Sequence, residues 1–162
     1  MTKVIRRVMG VAVGTGKIGF AYLVDGELMD WKLSTEASRS EFAAFEQAQK
    51  WIGYYEVDAL ILEARETSRR GTYSLELGAA VKEAADSLGV HVVFVERNTS
   101  AANKYAEAAE LVEEFPQLAA WLPSKRRLWE KEPRFIVLFE ALSLVWKWWR
   151  SCGDETQLAT IN

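Results

Sequence analysis

The dipeptide Asp25-Gly26 constrains the fold of this sequence more than any other feature. It separates two runs rich in aliphatic and aromatic residues, Ile18 to Val24 and Glu27 to Leu33. Two-residue turns between antiparallel strands need positive φ, which Asp-Gly tolerates, so the pair predicts a tight β-hairpin. A third run of the same type, Val8 to Val13, precedes the hairpin. The chain is therefore predicted to open as an antiparallel meander of three strands.

Beyond the meander, strand-like runs alternate with helical patterns. Ser38 or Ser40 can cap a first helix, and Asp58 to Glu63 is a short apolar run typical of a buried strand. A second helix is expected next, with Gly89 standing where a C-terminal cap should be. Val90 to Val95 then follows as the fifth predicted strand.

Two further helices complete the predicted order of elements. Asn98-Thr99-Ser100 can begin one that breaks by Pro116, and another should run from near Pro133 to about Arg150. The order βββαβαβα predicts an α/β fold with a mixed five-stranded sheet flanked by helices. With 162 residues, we expect one domain over residues 1–150, followed by a flexible tail at 151–162.

Composition excludes several classes of protein. Apolar residues make up 49% and charged residues 27% of the chain, which is typical of folded globular proteins. No run approaches the roughly 18 to 20 apolar residues of a membrane span, and the start lacks the pattern of a signal peptide. The single cysteine, Cys152, can form neither an internal disulfide nor a thiolate zinc site. We therefore expect a cytoplasmic protein with no membrane partner.

Glu140 is the only ionisable residue in the apolar run Phe135 to Trp146, which is predicted to lie in the last helix. Burial of its carboxylate costs several kcal/mol unless a cation, a metal ion or hydrogen bonds compensate. We therefore interpret Glu140 as a candidate metal ligand. The alternative is that Glu140 lies on a narrow solvent-exposed stripe together with Ser143 and Lys147.

Glu63 stands at the carboxyl end of an apolar strand, where α/β sheets commonly place their ligands. Taken alone, it is more simply the first polar residue of a loop. The first strand carries Gly10 and leads into Gly14 and Gly16. We expect these glycines to let the backbone approach a metal ion or a phosphate closely.

The strand Val8 to Val13 resembles the opening strand of RuvC-type junction resolvases, which belong to the RNase H-like nucleases. In that family a hydrophobic-Gly-hydrophobic-Asp run leads into a glycine turn, and the aspartate binds metal. Ala12 stands at the matching position here. Glu63 is similar to the family's second carboxylate on the fourth strand. Ser74 to Gly78 resembles the Leu-x-Leu-Gly stretch of the next helix, and Phe139 to Leu142 resembles the acidic-Ala-Leu segment of the last helix.

The resemblance implies an RNase H-like nuclease that holds two divalent ions, Mg²⁺ or Mn²⁺, between carboxylates at position 12, Glu63 and Glu140. With Ala12, one bridging carboxylate is missing, so we expect this chain to be catalytically inactive or severely weakened. An aspartate replaced on purpose and a natural non-catalytic relative are both compatible with Ala12. The intact Gly-Val-Ala-Val-Gly pattern around it favours the first.

Two more acids can add metal ligands, Glu66 in the loop after the fourth strand and Glu132 before the last helix. A first-turn glutamate favoured by the helix dipole is the simpler explanation of Glu132. Val137 stands where the resolvase family often has a second acid. The lone histidine, His91, lies inside a predicted strand and is most simply structural.

Two clusters are candidate DNA contacts on a chain whose formal net charge is −3. The first comprises Arg65, Arg69, Arg70 and Tyr73. Its cations and aromatic ring suit phosphate contacts and stacking on an unpaired base. The second comprises Lys104, Lys125, Arg126 and Arg127. A solvated loop and an ordinary charged linker are the respective alternatives.

Together these features predict a structure-selective endodeoxyribonuclease that resolves four-way (Holliday) junctions, with water as the nucleophile. The resemblance implies a two-fold homodimer acting on branched DNA. A non-catalytic nucleic-acid-binding protein of the same fold is the first alternative. An RNA-processing nuclease is the second, because the architecture alone does not fix the substrate.

Overall fold

A computed structural model describes residues 3–64, 71–96, 103–123, 135–152 and 159–161. The strands are β1 Lys3–Ile5, β2 Arg7–Gly14, β3 Lys17–Val24, β4 Glu27–Ser34, β5 Ala59–Glu63, β6 His91–Val95 and β7 Ala159–Ile161. The α-helices are α1 Glu41–Tyr55, α2 Thr72–Ser87, α3 Lys104–Glu114 and α4 Ile136–Cys152. Short 3₁₀ helices cover Glu36–Ser38 and Pro116–Trp121.

The main sheet has five strands in the order β4-β3-β2-β5-β6. Strands β2, β3 and β4 form the antiparallel meander, and β5 and β6 add to it in parallel. At the β3–β4 turn, Asp25 and Gly26 have φ of 52° and 84°, as the Asp-Gly signal requires. The predicted mixed five-stranded α/β fold is therefore confirmed.

Helices cover both faces of this sheet and divide the core into two parts. On one face, α1 and α2 pack on alternate sheet residues such as Met9, Phe20 and Leu60. On the other face, α4 and α3 pack on the residues in between, such as Val8 and Ile61. This alternation follows from the two-residue period of strand side chains, and it decides which face each residue of β2 and β5 presents.

Helix α4 lies unusually close to β2 because glycines face it. A Cβ atom on Gly10 would meet the carbonyl oxygen of Ala141, and one on Gly14 would meet the Cγ2 atom of Val137. The expectation that Gly10 and Gly14 open the backbone to a metal ion or phosphate is therefore wrong. Their missing side chains make room for α4 instead.

Some boundaries differ from the sequence expectations. Helix α3 begins at Lys104, because the Asn103 side chain caps it by accepting hydrogen bonds from the backbone N–H groups of Tyr105 and Ala106. Helix α4 continues to Cys152, past the predicted end at Arg150. Within the segment expected to be a flexible tail, β7 pairs antiparallel with β1. None of the helices in the described ranges has the length and apolar character to cross a membrane.

Candidate functional site

The pairing between the central strands β2 and β5 ends before either strand does. Their parallel pairing runs from Val8 opposite Ala59 to Gly10 opposite Ile61 and stops there. Strand β2 continues to Gly14 against β3, and β5 continues to Glu63 against β6. The order of the sheet also reverses between β2 and β5, since the earlier strands lie on one side and the later ones on the other. Ligands of open α/β sheets bind at such a switch point, beyond the carboxyl ends of the strands.

A cavity of about 190 Å³ opens at this point. Its wall includes Ala12 from β2, Glu63 from β5 and Glu140 from α4. Apolar side chains such as Leu62 and Leu144 make up much of the rest. The structure thus brings together the three positions that the sequence marked as a candidate metal site.

Strand geometry explains why Ala12 and Glu63 face the same side. Ala12 belongs to the core beneath α4, and so does Ile61, two residues before Glu63. Because side chains alternate along a strand, Glu63 points to the face that Ile61 occupies. Ala12 and Glu63 each lie two residues beyond the last β2–β5 pair, Gly10 opposite Ile61, and both line the cavity.

Glu140 reaches the cavity from above the sheet. Its residue is only 4% exposed, and its neighbours in the helix, Phe139 and Ala141, are buried as well. The alternative of a solvent-exposed stripe for Glu140 is therefore wrong. Lys147 does lie at the surface, where its Nζ atom donates a 3.1 Å hydrogen bond to the carbonyl oxygen of Glu96.

The described wall of the cavity has few acidic side chains that could bind a metal ion. Glu63 and Glu140 are the two carboxylates in its described lining, and residue 12 is an alanine. In the described ranges of the chain, no three His, Cys, Asp or Glu side chains lie close enough together to hold a metal ion. The described residues therefore do not complete a two-metal site, which needs bridging carboxylates from several elements.

Val137 stands where the resolvase family often has a second acid, and here it has a packing role. Its side chain is fully buried and fills the space above Gly14 and Gly19 on the sheet. It is absent from the cavity wall, whereas Glu140, nearly one turn further along α4, belongs to it. An apolar residue at position 137 thus serves the contact between the helix and the sheet.

Helix α2 contributes a polar edge that the sequence reasoning did not single out. Ser74, Gly78 and Lys82 succeed one another at four-residue spacing and all line the cavity. The Lys82 Nζ atom lies 2.7 Å from an Oδ2 atom of Asp86, one turn further along. The sequence did contain a signal for Lys82. It lies four residues after Gly78, on the same helix face as the Ser74 to Gly78 segment that resembles the resolvase family.

The other predicted site residues fall elsewhere or outside the described ranges. Tyr73 lies in the first turn of α2, where its hydroxyl donates a 2.9 Å hydrogen bond to the Ser38 carbonyl oxygen. Lys104 is the first residue of α3 and is partly buried. Neither belongs to the cavity wall. The predicted residues outside the described ranges are Arg65, Glu66, Arg69, Arg70, Lys125, Arg126, Arg127 and Glu132.

Solved structures with a similar fold include two of the RuvC protein of Thermus thermophilus. The RuvC protein of Thermus thermophilus in complex with a Holliday junction substrate has a TM-score of 0.58 with this chain. The two are 13% identical, and the match covers 96% of this chain and 99% of the other. A second T. thermophilus RuvC structure gives a TM-score of 0.57 at 14% identity over 99% and 100% of the two chains.

The likeness to RuvC concerns the fold over the whole length of both chains. It confirms the RuvC-like, RNase H-like architecture that the sequence predicted. No protein-family model and no curated protein sequence matches this chain.

Proposed function

We propose that this chain is a junction-binding protein of the structure-selective DNA endonuclease class, and that its own cleavage is lost or severely weakened. The observation that carries the proposal is the meeting of Ala12, Glu63 and Glu140 in one cavity at the carboxyl ends of β2 and β5. The T. thermophilus RuvC structure, in complex with a Holliday junction substrate, supports branched DNA as the ligand class.

The chemistry of phosphodiester hydrolysis explains why position 12 matters. Divalent ions such as Mg²⁺ or Mn²⁺, when bound, activate a water molecule and neutralise charge on the leaving oxygen. Glu63 and Glu140 supply oxygen ligands of the type that these ions prefer. An aspartate at position 12 would add a third carboxylate to the cavity that Glu63 and Glu140 line. With alanine there, the described residues would offer the ions only Glu63 and Glu140, and we propose that hydrolysis fails for this reason.

Glu66 and Glu132 remain proposed additional ligands, and the basic residues of segments 65–70 and 125–127 remain proposed phosphate contacts. We further propose that the chain acts as a homodimer. Two opposed strands of a junction call for two sites related by a two-fold axis, and an isologous interface provides them.

A second candidate function is a natural nucleic-acid-binding protein that no longer cuts. The small number of carboxylates in the cavity favours this second function, since no described residue replaces the acid missing at position 12. It shares the binding activity of the first proposal and differs in what a restored aspartate would do. In the first case the variant Ala12→Asp regains cleavage, and in the second it does not.

Binding assays test the substrate class directly. Labelled four-way junction, linear duplex, and RNA–DNA hybrid of equal length would be titrated with the protein over a range of salt concentrations. The proposal predicts tightest binding to the junction, at least about 10-fold above duplex, with an affinity that falls as salt rises. Equal affinity for junction and duplex would contradict it, and a preference for the hybrid would select RNA processing.

A further inference from the structure

Among the residues that the structure describes, the cavity wall contains one cation. Lys82 lines the same cavity as Glu63 and Glu140. A DNA phosphate that approaches Glu63 and Glu140 is repelled by both carboxylates unless a positive charge stands nearby. Lys82 is the side-chain cation that the described part of the cavity wall offers for this role.

Helix α2 leaves space for a DNA strand to reach this cation. Between Ser74 and Lys82 the cavity is lined by Leu75, Gly78 and Ala79. A Cβ atom on Gly78 would have no neighbour within 4 Å, so the surface of α2 is open at this turn. A sugar-phosphate backbone can therefore approach α2 at Gly78 and Ala79, beyond the bulkier Leu75, with the Lys82 ammonium one turn further along the helix.

Lys82 is free to exchange its present partner for a phosphate. Its contact with Asp86 is an (i, i+4) pair on the helix surface, with 43% and 52% of the two side chains exposed. Pairs of this kind are weak because water screens them. The long lysine stem lets the ammonium move between Asp86 and the cavity, where a DNA phosphate, with one negative charge shared by two oxygens, can accept hydrogen bonds from it.

We propose that the Lys82 ammonium binds a phosphate of the DNA strand that enters the cavity, and that this contact holds the strand beside Glu63 and Glu140. The proposal rests on the proposed function, because it takes DNA as the ligand of the cavity. It adds a residue of α2 to the DNA contacts predicted in segments 65–70 and 125–127.

The test compares Lys82→Gln with Lys50→Gln. Lys50 is exposed on α1 and does not line the cavity, so the two variants lose the same formal charge at different places. Four-way junction binding would be measured in EDTA, where metal-dependent cutting is suppressed, at several salt concentrations. Lys82→Gln should weaken binding about 10-fold and lower the salt slope by about one per chain, whereas Lys50→Gln should leave both unchanged.

Lys82→Arg provides the rescue, because arginine keeps the charge and binds phosphate well. It should bind within about two-fold of wild type, and melting curves followed by circular dichroism would check that each variant is folded. Wild-type affinity and salt slope in Lys82→Gln, or equal losses in Lys82→Gln and Lys50→Gln, would overturn the phosphate contact while leaving the proposed function intact. If wild type itself binds no junction, the proposed function is wrong and the contact falls with it.

Discussion

The carbonyl oxygen of Ala141 lies against the point at which Gly10 would carry a Cβ atom, and the Cβ atom of Val145 lies 2.8 Å from the same point. This contact fixes the height of α4 above β2. Glu140 precedes Ala141 in the helix and reaches the cavity from it, so the placement of the buried carboxylate depends on a missing side chain in the sheet.

The first prediction follows from this contact between the sheet and the helix. Gly10→Ala should lower the free energy of unfolding by about 1–3 kcal/mol, because the new methyl group meets backbone that cannot rotate away. The matched control is Gly53→Ala in α1, where a Cβ atom would have no neighbour within 4 Å. That change should stabilise the protein by about 0.5–1 kcal/mol. Urea unfolding measures both, and equal stability of Gly10→Ala and wild type would show that α4 packs less closely.

A second prediction concerns pH and the turn of the hairpin. The Arg6 guanidinium hydrogen-bonds Asp25, at 3.0 Å and 2.6 Å, and lowers the pKa of that carboxyl below its ordinary value. A lowered pKa in the folded state means that the ionised pair stabilises the protein above the ordinary aspartate pKa. This stabilisation disappears as the pH falls through the lowered value.

Asp25→Asn removes the carboxylate charge and keeps the turn, because Asn-Gly suits the same tight turn. Its melting temperature should lie slightly below that of wild type at pH 7. The difference should begin to shrink near the ordinary pKa of aspartate, about 3.9, and should vanish only below the lowered pKa of the folded protein. Thermal melts followed by circular dichroism at a series of pH values would measure it. A difference that stays constant down to the most acidic pH would mean that the pair contributes through something other than charge.

The third prediction concerns metal binding by a restored site. Ala12→Asp places three carboxylates together, so without metal the variant should melt below wild type because like charges repel. Saturating Mn²⁺ should raise its melting temperature by about 5 °C or more at a concentration of about 100 times the Kd. Wild type and Ala12→Asn should shift much less. Equal shifts in all three proteins would mean that position 12 does not contribute a ligand.

Much of the fold could be predicted because its signals are local. The Asp25-Gly26 turn is set by the φ angles of two residues, and the apolar run of β5 by its composition. These signals do not depend on the rest of the chain. The buried position of Glu140 was likewise visible, since its helical neighbours on nearly every side are apolar.

Other features depend on which elements meet, and the sequence alone did not give them. Gly10 and Gly14 look like a ligand-binding turn in the sequence, and only the arrival of α4 above them shows what their missing side chains accommodate. Lys82 looks like an ordinary surface lysine paired with Asp86. Its place in the cavity wall becomes visible only when α2 is seen together with β2, β5 and α4.

The cleavage assay of Ala12→Asp tests the central claim most directly. Four-way junction labelled on each strand would be incubated with wild type, Ala12→Asp and the double variants Ala12→Asp/Glu63→Gln and Ala12→Asp/Glu140→Gln, in Mg²⁺ or Mn²⁺. The account predicts metal-dependent cutting by Ala12→Asp, at least about 100-fold above wild type, and its loss in both double variants. No gain of cleavage by Ala12→Asp in a folded, junction-binding protein would contradict the claim that one missing carboxylate is what separates this chain from an active nuclease.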